Sequence, residues 1–345
     1  MSFIFAIVFL LPGFLAASVF LERELRVVAI SALSLVVYTV MAVAMIRMQI
    51  SDLIVPVFLF LSVISIGYGI ANPKLRKELI FTSKQLLVFL PALALLWLYS
   101  VYVGPFVDHG VDLFRHMTDV QDALFHMQKT GGHLLDETKN IGTYNHLIHI
   151  LSALFAYHFD LSGMELVPRL SFVYSLVWTF TIFFFARFIF ATLCPTPIGA
   201  TLLSYISTIF YWITFGINSF SFPRYYFASP SILAYCGFLT LLSVGLYMYS
   251  VGHFSRRLTM LGLAIGTTIF YLHPQELMLA CLMFGVISIL CVVKSSVGLN
   301  WFSDIAQTKD IIVKKDQKSK FTNFLSLLSL NNKNTIFGVT GAFII

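Results

Sequence analysis

Charge is what this 345-residue chain has least of: Asp, Glu, Lys and Arg make up 11% of it, against about 25% in an ordinary soluble domain. That scarcity excludes a soluble globular protein and a disordered, charge-solvated one. Cysteine is scarce as well. The four present (Cys194, Cys236, Cys281 and Cys291) lie in or beside apolar runs without CxxC spacing, which argues against a disulfide framework or a cysteine metal site and leaves small buried hydrophobes. The first apolar run has neither a basic n-region before it nor an evident cleavage site, so it is read as a membrane span and not as a removed signal. The formal charge of +6 sits largely in short segments beside apolar runs, where it reports orientation. No nucleic-acid partner is inferred.

What fills the chain instead is hydrophobic side chain, 58% of residues with 35 phenylalanines among them. Apolar runs near 3–20, 27–46, 53–71, 86–103, 167–193, 199–216, 229–250, 258–272 and 277–293 approach or exceed the roughly 20 residues that cross a hydrocarbon core as a helix. Lipid offers backbone groups no water to bond, so these runs predict helices and not open sheet. The expected fold is an all-α polytopic transmembrane bundle of about nine or ten spans. Residues 1–103 carry the first helices, 104–166 a large outer loop, and 167–293 a second set of helices. Residues 294–334 are Lys-rich, and 335–345 begin a further apolar run that stops after 11 residues, read as an unfinished helix.

Basic residues concentrate in "ERELR" (Glu22 to Arg26), "NPKLRKELIFTSK" (Asn72 to Lys84), "FSRR" (ending at Arg257) and the lysines from Lys294 to Lys333. Basic loops stay in the cytoplasm. The run from Thr143 to Phe159 decides whether all four can: if it crosses, Arg256, Arg257 and the lysine tail fall outside. With only about 17 residues and His146, His149 and His158 within it, it is read as a re-entrant or interfacial helix. The loop 104–166, the segment "INSFSFPRYYFASPS" (Ile217 to Ser231) and the turn "HPQE" (His273 to Glu276) then share the outer face. The whole is placed in a bacterial inner membrane.

The outer loop 104–166 holds eight of the sixteen acidic residues and seven of the nine histidines. At about 100° per residue, Asp112, His116, Asp119 and His126 fall on one helix face with Arg115 and Asp122 beside it, while Leu113, Met117, Val120, Leu124 and Met127 fall opposite. This predicts an amphipathic helix at the membrane surface, ended by Gly131 and Gly132. One of its carboxylates is a candidate general base, with His116, one turn after Asp112, orienting it or sharing its proton. Asp and His at i, i+4 and i+7 also permit a divalent cation. The plainer alternative for each is a solvated loop face without chemistry.

Three stretches in order, "DLFRHMTDVQDALFHMQKTGG" (Asp112 to Gly132), "TYNHLIHILSALFAYHFDLSG" (Thr143 to Gly163) and "ELVPRLSFVYSLVWTFTIFFFARFIF" (Glu165 to Phe190), resemble the GT-C superfamily of membrane glycosyltransferases. The resemblance covers Leu86 to Ser250 and is one of architecture and spacing. It implies a polyprenyl-phosphate-linked sugar as donor, a glycan, lipid or protein acceptor, and an outer-loop acid as catalytic base. By position Asp112 matches that base, with Asp119 as rival. It further implies that Arg115, Arg169 or Arg224 faces the departing phosphate and that Tyr144 and His146 lie with the substrate; Glu276, placed on the same outer face as Asp112, is a secondary candidate for acceptor contact. A transporter or flippase of a lipid-linked or anionic substrate, and a non-catalytic subunit of an envelope assembly, are the readings from other classes.

Overall fold

The computed structural model describes residues 2–103, 111–130, 146–194, 196–214, 230–251 and 256–297. Twelve α-helices follow in order: α1 (Ser2–Phe20), α2 (Arg23–Arg47), α3 (Ile54–Ala71), α4 (Pro73–Leu86), α5 (Leu90–Val103), α6 (Val111–Thr130), α7 (His146–His158), α8 (Gly163–Leu193), α9 (Pro197–Thr214), α10 (Pro230–Val251), α11 (Arg256–Leu272) and α12 (Pro274–Val297). No strand occurs among the described residues. Each of the nine apolar runs is helical. Five helical stretches, Arg23–Arg47, Ile54–Ala71, Pro73–Leu98, Gly163–Leu193 and Ser231–Met248, are long and apolar enough to cross a membrane, the architecture of a multi-pass membrane protein.

The first hairpin shows how the sequence sets helix contact. Pro12 lies inside α1; it has no N–H for the carbonyl of Val8, and the Tyr38 hydroxyl of α2 donates to that carbonyl at 2.8 Å. The next residue, Gly13, donates its N–H to Ser34 Oγ at 2.9 Å. A Cβ on Gly13 would stand 1.9 Å from the Ile30 carbonyl oxygen, so only glycine lets the two backbones meet this closely.

The centre of the bundle is α2, α8 and α10, which touch one another. Apolar packing there is pinned by hydroxyls: Thr181 donates to Ser31 Oγ at 2.9 Å, and Thr240 donates to the Val28 carbonyl at 3.1 Å. Ser31, Thr181 and Thr240 are all fully buried. Among the three cysteines whose side chains are described, Cys236 is buried, Cys194 half-buried and Cys281 exposed, so the expectation of buried cysteines holds at one position of these three.

The stretch from Asn72 to Lys84, expected as a basic loop, is helix α4. Its start signal is Asn-Pro: Asn72 Oδ1 accepts from the N–H groups of Lys74 at 3.1 Å and Leu75 at 3.2 Å, and Pro73 fills the first helical position, where its missing N–H costs nothing. Near this start Glu78 receives Arg26 at 2.5 Å and Arg23 at 3.2 Å, and Arg257 at the start of α11 lies over the Phe20 ring. The α1–α2 turn, the α3–α4 turn and the start of α11 therefore meet at one end of the bundle, here the basic end.

Helices α6 and α7 belong to the opposite end. His158, closing α7, donates from Nε2 to the carbonyl oxygen of Asp52 in the α2–α3 turn at 2.6 Å. Thirteen residues of α7 rise about 20 Å, short of the roughly 30 Å of a bilayer core. The first turn of α7 and the start of α8 also return to the same stretch of α6: His149 faces Asp119, and Gly163 approaches so closely that a Cβ on it would lie 3.0 Å from the Met117 carbonyl. Helix α7 stays at one end of the bundle.

Candidate functional site

Helix α6 forms over the predicted amphipathic stretch, and its apolar face is turned inward. Met117, Val120, Ala123, Leu124 and Met127 are buried against α7 and α8, the helices it packs on. Thr118, Asp122, Phe125, His126 and the last three residues, Gln128, Lys129 and Thr130, are exposed. Gln121 sits at the edge, and its Oε1 accepts the Gly163 N–H at 2.9 Å, tying α6 to the first turn of α8. That first turn is a capping box: Ser162 Oγ accepts the Glu165 N–H, and Glu165 Oε2 accepts the Ser162 N–H. The pattern S-x-x-E announces it.

On the open face of α6, Asp119 carries the only ion pair formed by that helix among the described residues. Its Oδ2 lies 3.7 Å from Nδ1 of His149 on α7. The carboxylate is 40% exposed and the imidazole 7%. The exposed part of the Asp119 carboxylate remains available to a hydroxyl. The separation exceeds a formed hydrogen bond and is of the size that closes when a substrate orders a site.

A second acid and histidine pair marks the α11–α12 corner. The His273 N–H ends α11 on the Ile269 carbonyl at 2.7 Å, the Glu276 N–H begins α12 on the His273 carbonyl at 3.2 Å, and the Glu276 carboxylate reaches back to His273 Nδ1. Both side chains are 7% exposed. Since α7 packs on α11, and α11 begins at the basic end and finishes at Leu272, this corner shares the end of the bundle with Asp119.

The expected residues distribute unevenly over this geometry. Asp112, Arg115 and His116 lie on the first turns of α6 and His146 on the first residue of α7, but their side chains fall outside the described residues, as do Tyr144, Arg224, and Gly131 and Gly132. Arg169 is an exposed residue of α8, one turn beyond Glu165. Glu276, expected in a turn at the outer face, is a buried residue paired with His273. Two partners went unassigned in the sequence: His149, which only the folding of α7 onto α6 brings to Asp119, and His273, whose i, i+3 spacing to Glu276 was legible. Among the described residues no three His, Cys, Asp or Glu side chains converge as metal ligands.

No family model, no characterised protein and no solved structure matches the chain.

Proposed function

We propose that this chain is a membrane glycosyltransferase of the bacterial inner membrane, which moves a sugar from a polyprenyl-phosphate-linked donor to a hydroxyl of an envelope glycan, lipid or protein at the outer face. The observation that supports it is the pairing of the half-exposed Asp119 carboxylate with the buried His149 imidazole at 3.7 Å, on an amphipathic helix at the end of a membrane bundle. Asp119 takes the acceptor hydroxyl's proton, the acceptor oxygen forms a bond to the anomeric carbon, and the bond from that carbon to the phosphate oxygen breaks. The polyprenyl phosphate leaves with the electron pair. Its growing negative charge calls for a cation, for which Arg169 is the described side chain and Arg115 and Arg224 the further candidates. Asp112, two turns before Asp119 on the same face, is the alternative base.

The test is a mass-spectrometric profile of envelope glycans and polyprenyl-linked sugars in a deletion strain rescued with wild type, Asp119→Asn or Asp112→Asn. Loss of one glycan with accumulation of its lipid-linked donor in the Asp119→Asn strain, at normal membrane levels of the protein, is the expected result. Loss only with Asp112→Asn moves the base to that residue, and an unchanged profile in the deletion strain itself overturns the reading.

A second reading, transport of an anionic or lipid-linked substrate, draws on the His273–Glu276 pair, since ionisable residues buried among membrane helices commonly mark a substrate or proton path. Uptake of unmodified substrate into sealed vesicles would favour it.

A further inference from the structure

We infer that the basic end of the bundle is a docking face for the phosphate headgroups of anionic phospholipids in the leaflet it meets, independent of the activity at the opposite end. The face is assembled from three separate segments. Arg23 opens α2, Lys74, Arg76, Lys77 and Lys84 stand exposed on α4, and Arg256 and Arg257 open α11.

The guanidinium groups are held in place before any ligand arrives. Arg23 is fixed by Glu78 at 3.2 Å and lies over the Phe81 ring at 4.5 Å from its centre, and Arg257 lies over Phe20 at 5.8 Å. A guanidinium has five N–H donors in a fixed fork, so Arg23 keeps donors that its one carboxylate contact does not use. Glu78 itself is shared with the buried Arg26 and leaves the face with excess positive charge. Glu22 and Glu24, also exposed here, are the remaining acids.

Two features identify the occupant. First, an exposed apolar ring stands among the cations: Phe20, under Arg257, is 55% exposed, and α4 leads from its basic first turns straight into the apolar stretch that ends at Leu98. A surface that is cationic and greasy at once suits the boundary between headgroups and acyl chains, where an acidic soluble protein would leave Phe20 in water. Second, the chain's own continuation past α12 carries Lys309, Lys314, Lys315, Lys318 and Lys320 against Asp304, Asp310 and Asp316, so its net sign matches this face and does not neutralise it.

The experiment uses the full chain purified in detergent and equilibrated with phosphatidylcholine alone or mixed with phosphatidylglycerol, with retained lipids counted by native mass spectrometry. Wild type should retain phosphatidylglycerol over phosphatidylcholine, and raised salt should weaken that preference. Each cation near a charged leaflet is worth about a fivefold change in binding, so Arg23→Gln/Lys77→Gln/Arg257→Gln should lower the preference by about a hundredfold. Arg47→Gln, which removes an exposed cation at the other end of α2, is the control for loss of a cation off this face and should retain it, whereas Arg23→Gln alone should weaken it about fivefold. Equal retention of the two lipids by wild type overturns the proposal, as does an equal loss in Arg47→Gln. Should the triple variant not fold, the salt dependence of wild-type retention decides alone: a preference that salt leaves unchanged is not made by this face. Retention of an acidic protein from the same membrane with no lipid preference would likewise overturn it.

Discussion

His149 Nδ1 faces Asp119 Oδ2 across 3.7 Å, with the imidazole buried and the carboxylate half-open. The imidazole borders the carboxylate on one side and leaves part of it open, the arrangement of a positioning group beside a base. If Asp119 is the base, Asp119→Asn should lower sugar transfer by about 100-fold or more, the usual worth of a positioned base. His149→Gln should lower it by less, and the double variant by no more than Asp119→Asn alone, since residues acting as a unit are not additive. Transfer rates in reconstituted vesicles measure this; fully additive losses would separate the two residues.

A methyl group at position 13 should be enough to force α1 off α2. The Cβ would meet backbone as well as a side chain, with the Ile30 carbonyl at 1.9 Å and the Ser34 nitrogen at 2.6 Å, and backbone cannot swing aside. Gly13→Ala should therefore cost about 3 kcal/mol, the upper part of the range for overpacking. Tyr38→Phe, which removes the donor to the Val8 carbonyl and the hydroxyl's contact with Ser62, should cost about 1 kcal/mol. Thermal unfolding in detergent ranks the two, and the reverse order would refute this account of the hairpin.

Much of this fold was legible because lipid imposes one rule, that every backbone group be bonded within its own segment. Nine apolar runs became helices for that reason, and the 100° spacing from Met117 to Met127 located the buried face of α6. Helix α4 was missed because its charges outweighed its start signal: Asn72 and Pro73 mark a cap, yet Lys74, Arg76 and Lys77 read as a loop. The candidate site was half legible. Asp119 could be placed on an open face from periodicity alone, but its pairing with His149 spans 30 positions and depends on how α7 folds back onto α6, which no local pattern encodes.

Arg26 is 10% exposed and its charge is answered by Glu78, with its Nε donating to the Leu21 carbonyl at 2.9 Å. Glu78→Gln strands that charge, and a buried charge without its partner is costlier than no charge. The variant should melt earlier than wild type, and Arg26→Met added to it should recover part of the loss. A double variant that melts below Glu78→Gln would show that Arg26 stabilises through its backbone contact more than it suffers from the missing acid.

The same logic gives a sharper outcome at the α11–α12 corner, because both members of that pair are buried. Glu276→Gln keeps the shape of the side chain and removes its charge, leaving His273 with an uncharged neighbour; Glu276→Ala leaves the imidazole facing a gap. The loss should be about 1 kcal/mol for the first and about 3 kcal/mol for the second, the span between weakening a buried hydrogen bond and orphaning a buried polar group. His273→Leu/Glu276→Leu removes both polar groups and should be milder than Glu276→Ala. Stability alone would be affected if the pair is only a corner brace. A double variant that melts like wild type yet fails to move or modify substrate would instead assign the pair to function, and vesicle uptake set beside the glycan profile would say which.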